Sequence, residues 1–165
     1  MKTRKILCTS LIHSHMDYAC MAWYFSLSAM LKNKLQIVQN KLARFITNSG
    51  PRQHIGHTEL SSIGYLNVQD RVTQLSMNMM HNIFYDRCPA YMNSFFTKIS
   101  DVHNYNTRGS NYNFRTPKIN SISATTFYYN ATAEWNRLPD SIKCIQNKST
   151  FKEKVRWYLG NRHHE

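Results

Sequence analysis

A chain of 165 residues, 42% hydrophobic and 13% aromatic, holds enough apolar material for one domain or two small packed lobes, which excludes a disordered class. Its 21 lysines and arginines face nine acids, a formal charge of +12, so the expected partner is a polyanion: nucleic acid first, anionic membrane second. No segment approaches the roughly 20 apolar residues needed to cross a bilayer, and Cys8, Cys20, Cys88 and Cys144 lack the paired short spacing of a structural zinc site.

The opening Met1-Lys2-Thr3-Arg4-Lys5-Ile6-Leu7-Cys8 imitates a signal peptide, but His13, His15 and Asp17 break its apolar stretch. It reads as the start of a helix cut from a longer protein, with reduced thiols in an intracellular setting. Residues 5–23 predict one long or bent helix. Ser26-Leu27-Ser28 interrupts it and supplies a cap for the next helix, over 29–47. There Leu31, Leu35, Val38, Leu42, Phe45 and Ile46 recur at steps of three, four and seven and predict the packed face. Lys34, Lys41 and Arg44 share a flank beside that stripe, so this helix is expected to pack and to present positive charge at once. Asn48-Ser49-Gly50-Pro51 stops it.

Residues 58–64 predict a short helix ended by Gly64, and 68–85 a longer one with the stripe Val68, Val72, Leu75, Met79 and Ile83. Met77, Met79 and Met80 read as core filler in preference to a binding groove. Another short helix begins at Cys88-Pro89-Ala90-Tyr91-Met92. Beyond Ser100 the texture turns to Asn, Ser, Thr and Tyr, with Tyr112, Phe114 and Arg115 hinting at a short strand. Residues 127–136 return to helical spacing, and Ser149 or Thr150 caps a final helix over 151–159 that Gly160 ends. The expected fold class is mainly α: a bundle-like helical lobe over 1–100 and a smaller mixed, aromatic-rich lobe over 101–165.

Two stretches contain no acid. Residues 18–58 carry Lys32, Lys34, Lys41, Arg44 and Arg52; residues 102–133 carry Arg108, Arg115 and Lys118 among Tyr105, Tyr112, Phe114, Phe127, Tyr128 and Tyr129. Cations with interleaved aromatics suit backbone neutralisation and base stacking on single strands, while the same aromatics also suit the core of a small lobe. Catalysis finds less footing. No two acids are adjacent and none forms an Asp-x-Asp pair of the kind that holds magnesium ions on phosphates. His13 and His15 have no neighbouring nucleophile or acid–base partner in sequence.

Three phrases in fixed order remain: Ser10-Leu11-Ile12-His13-Ser14-His15-Met16-Asp17-Tyr18 with Trp23; His103-Asn104-Tyr105-Asn106-Thr107-Arg108; and Ala133-Glu134-Trp135-Asn136-Arg137-Leu138-Pro139-Asp140-Ser141-Ile142, followed by Phe151-Lys152-Glu153-Lys154-Val155-Arg156-Trp157-Tyr158-Leu159. In order and spacing this resembles the C-terminal part of reverse transcriptases from jockey-like, LINE-type non-LTR retrotransposons, over about residues 6–159. One departure is Ile63 where the family has a second leucine. The resemblance implies a thumb-like helical region and a C-terminal domain. The polymerase palm and fingers, with their carboxylates and magnesium, would lie upstream, so no cofactor is expected in this chain and no activity of its own. It implies RNA or DNA as partner, with Lys34, Lys41 and Arg44 as candidate duplex-backbone contacts and Arg108, Tyr112 and Arg115 as candidate single-strand contacts. Arg108 equally suits pinning its own polar loop. Two other readings stand beside it: a relic of a decayed element, and a domesticated module whose amphipathic helices bind a partner.

Overall fold

The structure, a computed structural model, describes residues 2–102, 110–118 and 123–162. Its elements are helical, and no strand occurs among the described residues. The chain divides into two compact units, Met1–Val72 and Thr73–Glu165, with the boundary inside the helix Val68–Phe84. The break expected near residue 100 falls within the second unit. No helix among the described residues is long and apolar enough to cross a membrane.

The first unit opens with α1 (Lys2–Cys8), a π-helical turn (Thr9–His13) and α2 (Ser14–Asp17). Cys8 and Ser14 keep right-handed helical dihedrals, so these run on as one rod. Hydroxyls load the turn: Thr9, Ser10 and Ser14 each donate to the carbonyl four residues back, at 2.8, 2.9 and 2.6 Å. Such back-bonding competes with the backbone ladder and loosens it locally. Tyr18 then turns extended and Ala19 adopts the left-handed conformation (φ 47°), which ends the rod before α3 (Cys20–Trp23). The one long or bent helix read over 5–23 is therefore broken after Asp17.

α4 (Ala29–Thr47) keeps the bounds its sequence predicts. Ser28 accepts from the Leu31 N–H, and Asn48 closes the helix in the left-handed region (φ 58°), where an asparagine is tolerated better than most residues. Its packed face differs from the expected one. Leu42 and Ile46 are buried, together with Gln39 and Ala43, whereas Leu31, Val38 and Phe45 stay 44%, 40% and 53% exposed. The buried row is rotated because Gln39 is needed inside: its amide donates to the Leu66 carbonyl at 2.8 Å. Neighbouring Gln36 accepts from the Val68 N–H at 3.0 Å, so two glutamines of α4 satisfy the backbone at the start of the next long helix.

α5 (His57–Ser62) begins with Glu59 accepting from the Gly56 N–H at 2.8 Å. It ends in a Schellman pattern: Gly64 N–H to Ser61 and Tyr65 N–H to Leu60, both 2.8 Å, with Gly64 at φ 71°. Cys8, Leu42, Ala43, Ile46, Ile55, Leu60 and Ile63 form the core of this unit, with Tyr65 packed against it. Arg71 clasps Asp17 with two bonds of 3.2 and 2.7 Å, which makes Asp17 a structural group.

α6 (Val68–Phe84) starts at Asn67, which caps the Asp70 N–H at 2.8 Å. Burial is broader than the predicted stripe. Leu75 and Met79 are half-buried, while Met77 and Met80 are fully buried, as core-filling methionines should be. A short α7 (Ala90–Asn93) follows. The hinted strand shrinks to one antiparallel bridge between Lys98 and Phe114. The cause is Asn136, whose amide accepts from the Phe114 N–H (3.0 Å) and donates to the Phe114 carbonyl (2.8 Å), taking the place of a neighbouring strand.

α8 (Phe127–Arg137), capped by Thr126, carries Trp135 into an aromatic core. The Trp135 ring lies 5.7 Å from Phe84, 6.1 Å from Phe114 and 5.9 Å from Phe151, and its indole N–H donates to the Tyr112 carbonyl at 2.7 Å. After Pro139 comes α9 (Asp140–Lys143), then α10 (Lys148–Asn161) with Phe151, Val155 and Leu159 buried. The cap of α10 is Asn147, not Ser149 or Thr150: its side-chain oxygen accepts from both of their N–H groups at 3.0 and 3.1 Å. Gly160 lies inside the helix instead of ending it.

Lys143 is fully buried, yet its ammonium has a partner for each proton: Asn113 Oδ1 (2.8 Å), Asp140 Oδ1 (2.9 Å) and the Asn136 carbonyl (3.2 Å). Tyr85 donates to the Lys143 carbonyl and Arg87 to that of Gln146, and a His81 ring nitrogen lies 2.8 Å from the Ile145 carbonyl. The segment between α9 and α10 is thus held along its backbone.

Candidate nucleic-acid interface

The first unit has nine lysines and arginines and three acids, and each acid is occupied: Asp17 by Arg71, Glu59 by the Gly56 N–H, and Asp70 by Asn67. Among the described residues, Arg71 with Asp17 is the ion pair of this unit, and its other lysines and arginines pair with no carboxylate. Lys41 and Arg44, one helical turn apart on α4, line a cavity of about 450 Å³ with Arg4, Phe45, Asn48, Ser49 and Pro51. Arg4 reaches it from α1: one guanidinium nitrogen donates to the Phe45 carbonyl (3.2 Å) and to Asn48 Oδ1 (2.8 Å), and the group lies 5.3 Å from the Phe45 ring centroid. The last carbonyls of a helix carry partial negative charge, which favours a cation there. Arg44 is steadied through Nε by the Gln53 carbonyl at 2.9 Å.

Three cations around one concavity repel one another, and a bound anion relieves that repulsion. Guanidinium groups add a planar array of donors that matches phosphate oxygens. Phe45, half-exposed at the rim, offers an apolar face next to the charge. Lys34, two turns before Lys41, is exposed but does not line the cavity. Arg4 was not among the sequence candidates. The available signal was its position four residues before Cys8, on the helix face that the buried cysteine defines.

The single-strand candidates are scattered. Tyr112 is half-buried, its ring 5.9 Å from Phe84 at the edge of the aromatic core. Arg115 is exposed; its N–H donates to the Thr97 carbonyl, and it lines a smaller cavity of about 240 Å³ with Ile99, Val102 and Thr116. Arg108 lies outside the described residues, as does the whole phrase His103-Asn104-Tyr105-Asn106-Thr107-Arg108. Of the remaining aromatics, Trp135 is buried and Phe127 and Tyr128 pack against Phe96.

One grouping in the first unit has the residue types of a nucleophile site: Cys20 and His13 both feel the charge of Asp17. Its electrostatics oppose that use. Burial pushes the Cys20 thiol up to about 11, with Asp17 adding to the rise, so no thiolate is available at neutral pH. Burial likewise lowers His13, and Asp17 offsets this in part. No cluster of three or more His, Cys, Asp or Glu side chains able to hold a metal occurs among the described residues. No family model, curated protein or solved structure matches this chain.

Proposed function

We propose that this chain is a nucleic-acid-binding segment without chemistry of its own, the thumb and C-terminal part of an RNA-directed DNA polymerase from a non-LTR retrotransposon. The observation that carries the binding reading is the convergence of Arg4, Lys41 and Arg44 on one cavity with no carboxylate among its lining residues. The polymerase ancestry rests on the three phrases in their order and spacing, and the absence of chemistry on the lack of paired acids in the sequence. In this reading Lys34, Lys41 and Arg44 neutralise successive backbone phosphates, and Arg4, braced on the end of α4, fixes one of them in the cavity. An upstream palm and fingers would supply the carboxylates and magnesium, and the duplex they act on would be gripped from this side.

Binding is tested by fluorescence anisotropy with an RNA–DNA hybrid, duplex DNA and single strands over a range of salt. Each phosphate contact adds about 0.9 to the logarithmic salt slope on duplex and about 0.7 on a single strand. The Lys34→Ala/Lys41→Ala variant, altered only at exposed positions, is expected to reduce the duplex slope by about two contacts. Salt-independent binding, or a slope unchanged in the variant, defeats the reading. The ancestry is tested separately by sequencing the transcript upstream of Met1: a continuous frame with adjacent palm aspartates supports it, and a stop codon in that frame speaks for a relic.

A further inference from the structure

Gripping phosphates accounts for the cations of α4 but not for what lies between them. On a helix of about 100° per residue, Leu31, Val38 and Phe45 form one row and Met30 and Ile37 another, with Lys34 and Lys41 between the two. All of these positions are exposed, Met30 at 68% and Ile37 at 44%. Leu31, Lys34, Val38, Lys41 and Phe45 follow one another at steps of three and four, the spacing of a coiled-coil seam. This face runs about 23 Å, some four turns, and lies beside the row that packs into the core of the unit, Leu31, Val38 and Phe45 bordering it. Apolar side chains at seam spacing, left in water along a whole helix, mark an interaction surface.

Charge selects the occupant. α4 contains no acidic residue, and the acids elsewhere in its unit are engaged. A second copy would set lysine against lysine when parallel and lysine against apolar side chains when antiparallel, so self-association through this face is disfavoured. We infer that the exposed face of α4 docks an acidic amphipathic helix from a partner protein, with apolar residues against Leu31, Val38 and Phe45 and carboxylates against Lys34 and Lys41. Nucleic acid needs only the cations; the helix needs the apolar rows as well. The inference therefore stands independently of nucleic-acid binding, and the two ligands separate by mutation.

The probes are two three-heptad helical peptides, one with leucine at a and glutamate at d and one with the reverse order, so that parallel and antiparallel docking are both sampled. Controls replace every glutamate by lysine or scramble the order. Titration calorimetry with the full chain should show one glutamate peptide binding at least tenfold more tightly than its lysine and scrambled forms. The Ile37→Gln/Val38→Gln variant, with unchanged circular dichroism, should lose at least tenfold in peptide affinity and keep its affinity for duplex DNA. Four outcomes overturn the inference: no peptide binding, equal binding of the scrambled peptide, an unaltered double variant, or concentration-dependent dimerisation through this face. It is also overturned if the variant loses binding to anionic phosphatidylserine vesicles while the peptides do not bind, because the face then serves a membrane surface.

Discussion

The two units solve the same stability problem with different materials. The first packs a thin aliphatic core around Leu42, Ala43 and Ile46, ties its helices with glutamine amides, and leaves apolar rows of α4 in water. The second gathers Phe84, Phe114, Trp135 and Phe151 around one another and closes them with side-chain bonds to backbone from Asn136, Lys143, Tyr85 and Trp135. Aromatic rings bury more area per residue, and polar clamps satisfy the irregular backbone that surrounds them. What the difference teaches is that the first unit concentrates exposed apolar rows and cations on one helix, α4, while the second gathers four aromatic rings into its core.

The comparison breaks most visibly at Trp135. Trp135→Ala should destabilise the second unit by about 3–5 kcal/mol, read as a shift in the urea midpoint followed by circular dichroism. An effect below about 1 kcal/mol would show that the aromatic core is not what holds this unit. Next comes Lys143→Met, which keeps the aliphatic stem but strips partners from Asn113 and the Asn136 carbonyl, at a cost of about 1–3 kcal/mol. A stabilised variant would mean that burying the ammonium costs more than its three bonds return.

The smallest effect is on pH dependence. It falls on both units, because burial lowers the pKa of His13 in the first and His81 in the second from the ordinary 6.5. Asp17 partly offsets this at His13, where Arg71 adds to it; at His81 the bond to Ile145 opposes and Arg87 and Lys148 add. Both rings stay neutral in the folded chain at pH values where the unfolded chain already binds protons. Their contribution is therefore complete above about 6.5 and declines as pH falls from there towards the lowered folded values. Urea midpoints should drop between pH 7 and pH 5.5, and His81→Phe, which can keep the stacking on Phe151 at 4.1 Å, should flatten part of that drop. A pH-independent midpoint would exclude both rings as acid-labile points.

Much of this was written locally in the sequence. Ser28 and Asn48 announce the ends of α4, Gly64 the end of α5, and the methionines of α6 their own burial. What stayed illegible depended on partners distant along the chain. The packed face of α4 was misplaced because a glutamine stands at its centre, and only the Leu66 carbonyl explains why Gln39 belongs inside. The strand hinted at Phe114 failed because Asn136, 22 residues on, takes both of its backbone groups. The cavity at the end of α4 was half visible: Lys41 and Arg44 share a helix flank, whereas Arg4 arrives from 40 residues away.

The π-helical turn at Thr9–His13 sets the phase of everything before Ala19. In an unbroken α-helix Cys8 and His13 would point about 140° apart, so a rod that buried one would turn the other to solvent. The wider turn takes up about one residue without advancing the winding and returns roughly 100° of that rotation. Cys8 can then enter the aliphatic core while His13 packs, tilted, against Tyr65 at 4.4 Å and Asp17 reaches Arg71. Read this way, the extra residue is a timing correction: it lets a helix whose sequence has drifted out of step with its neighbours keep all three appointments along its length.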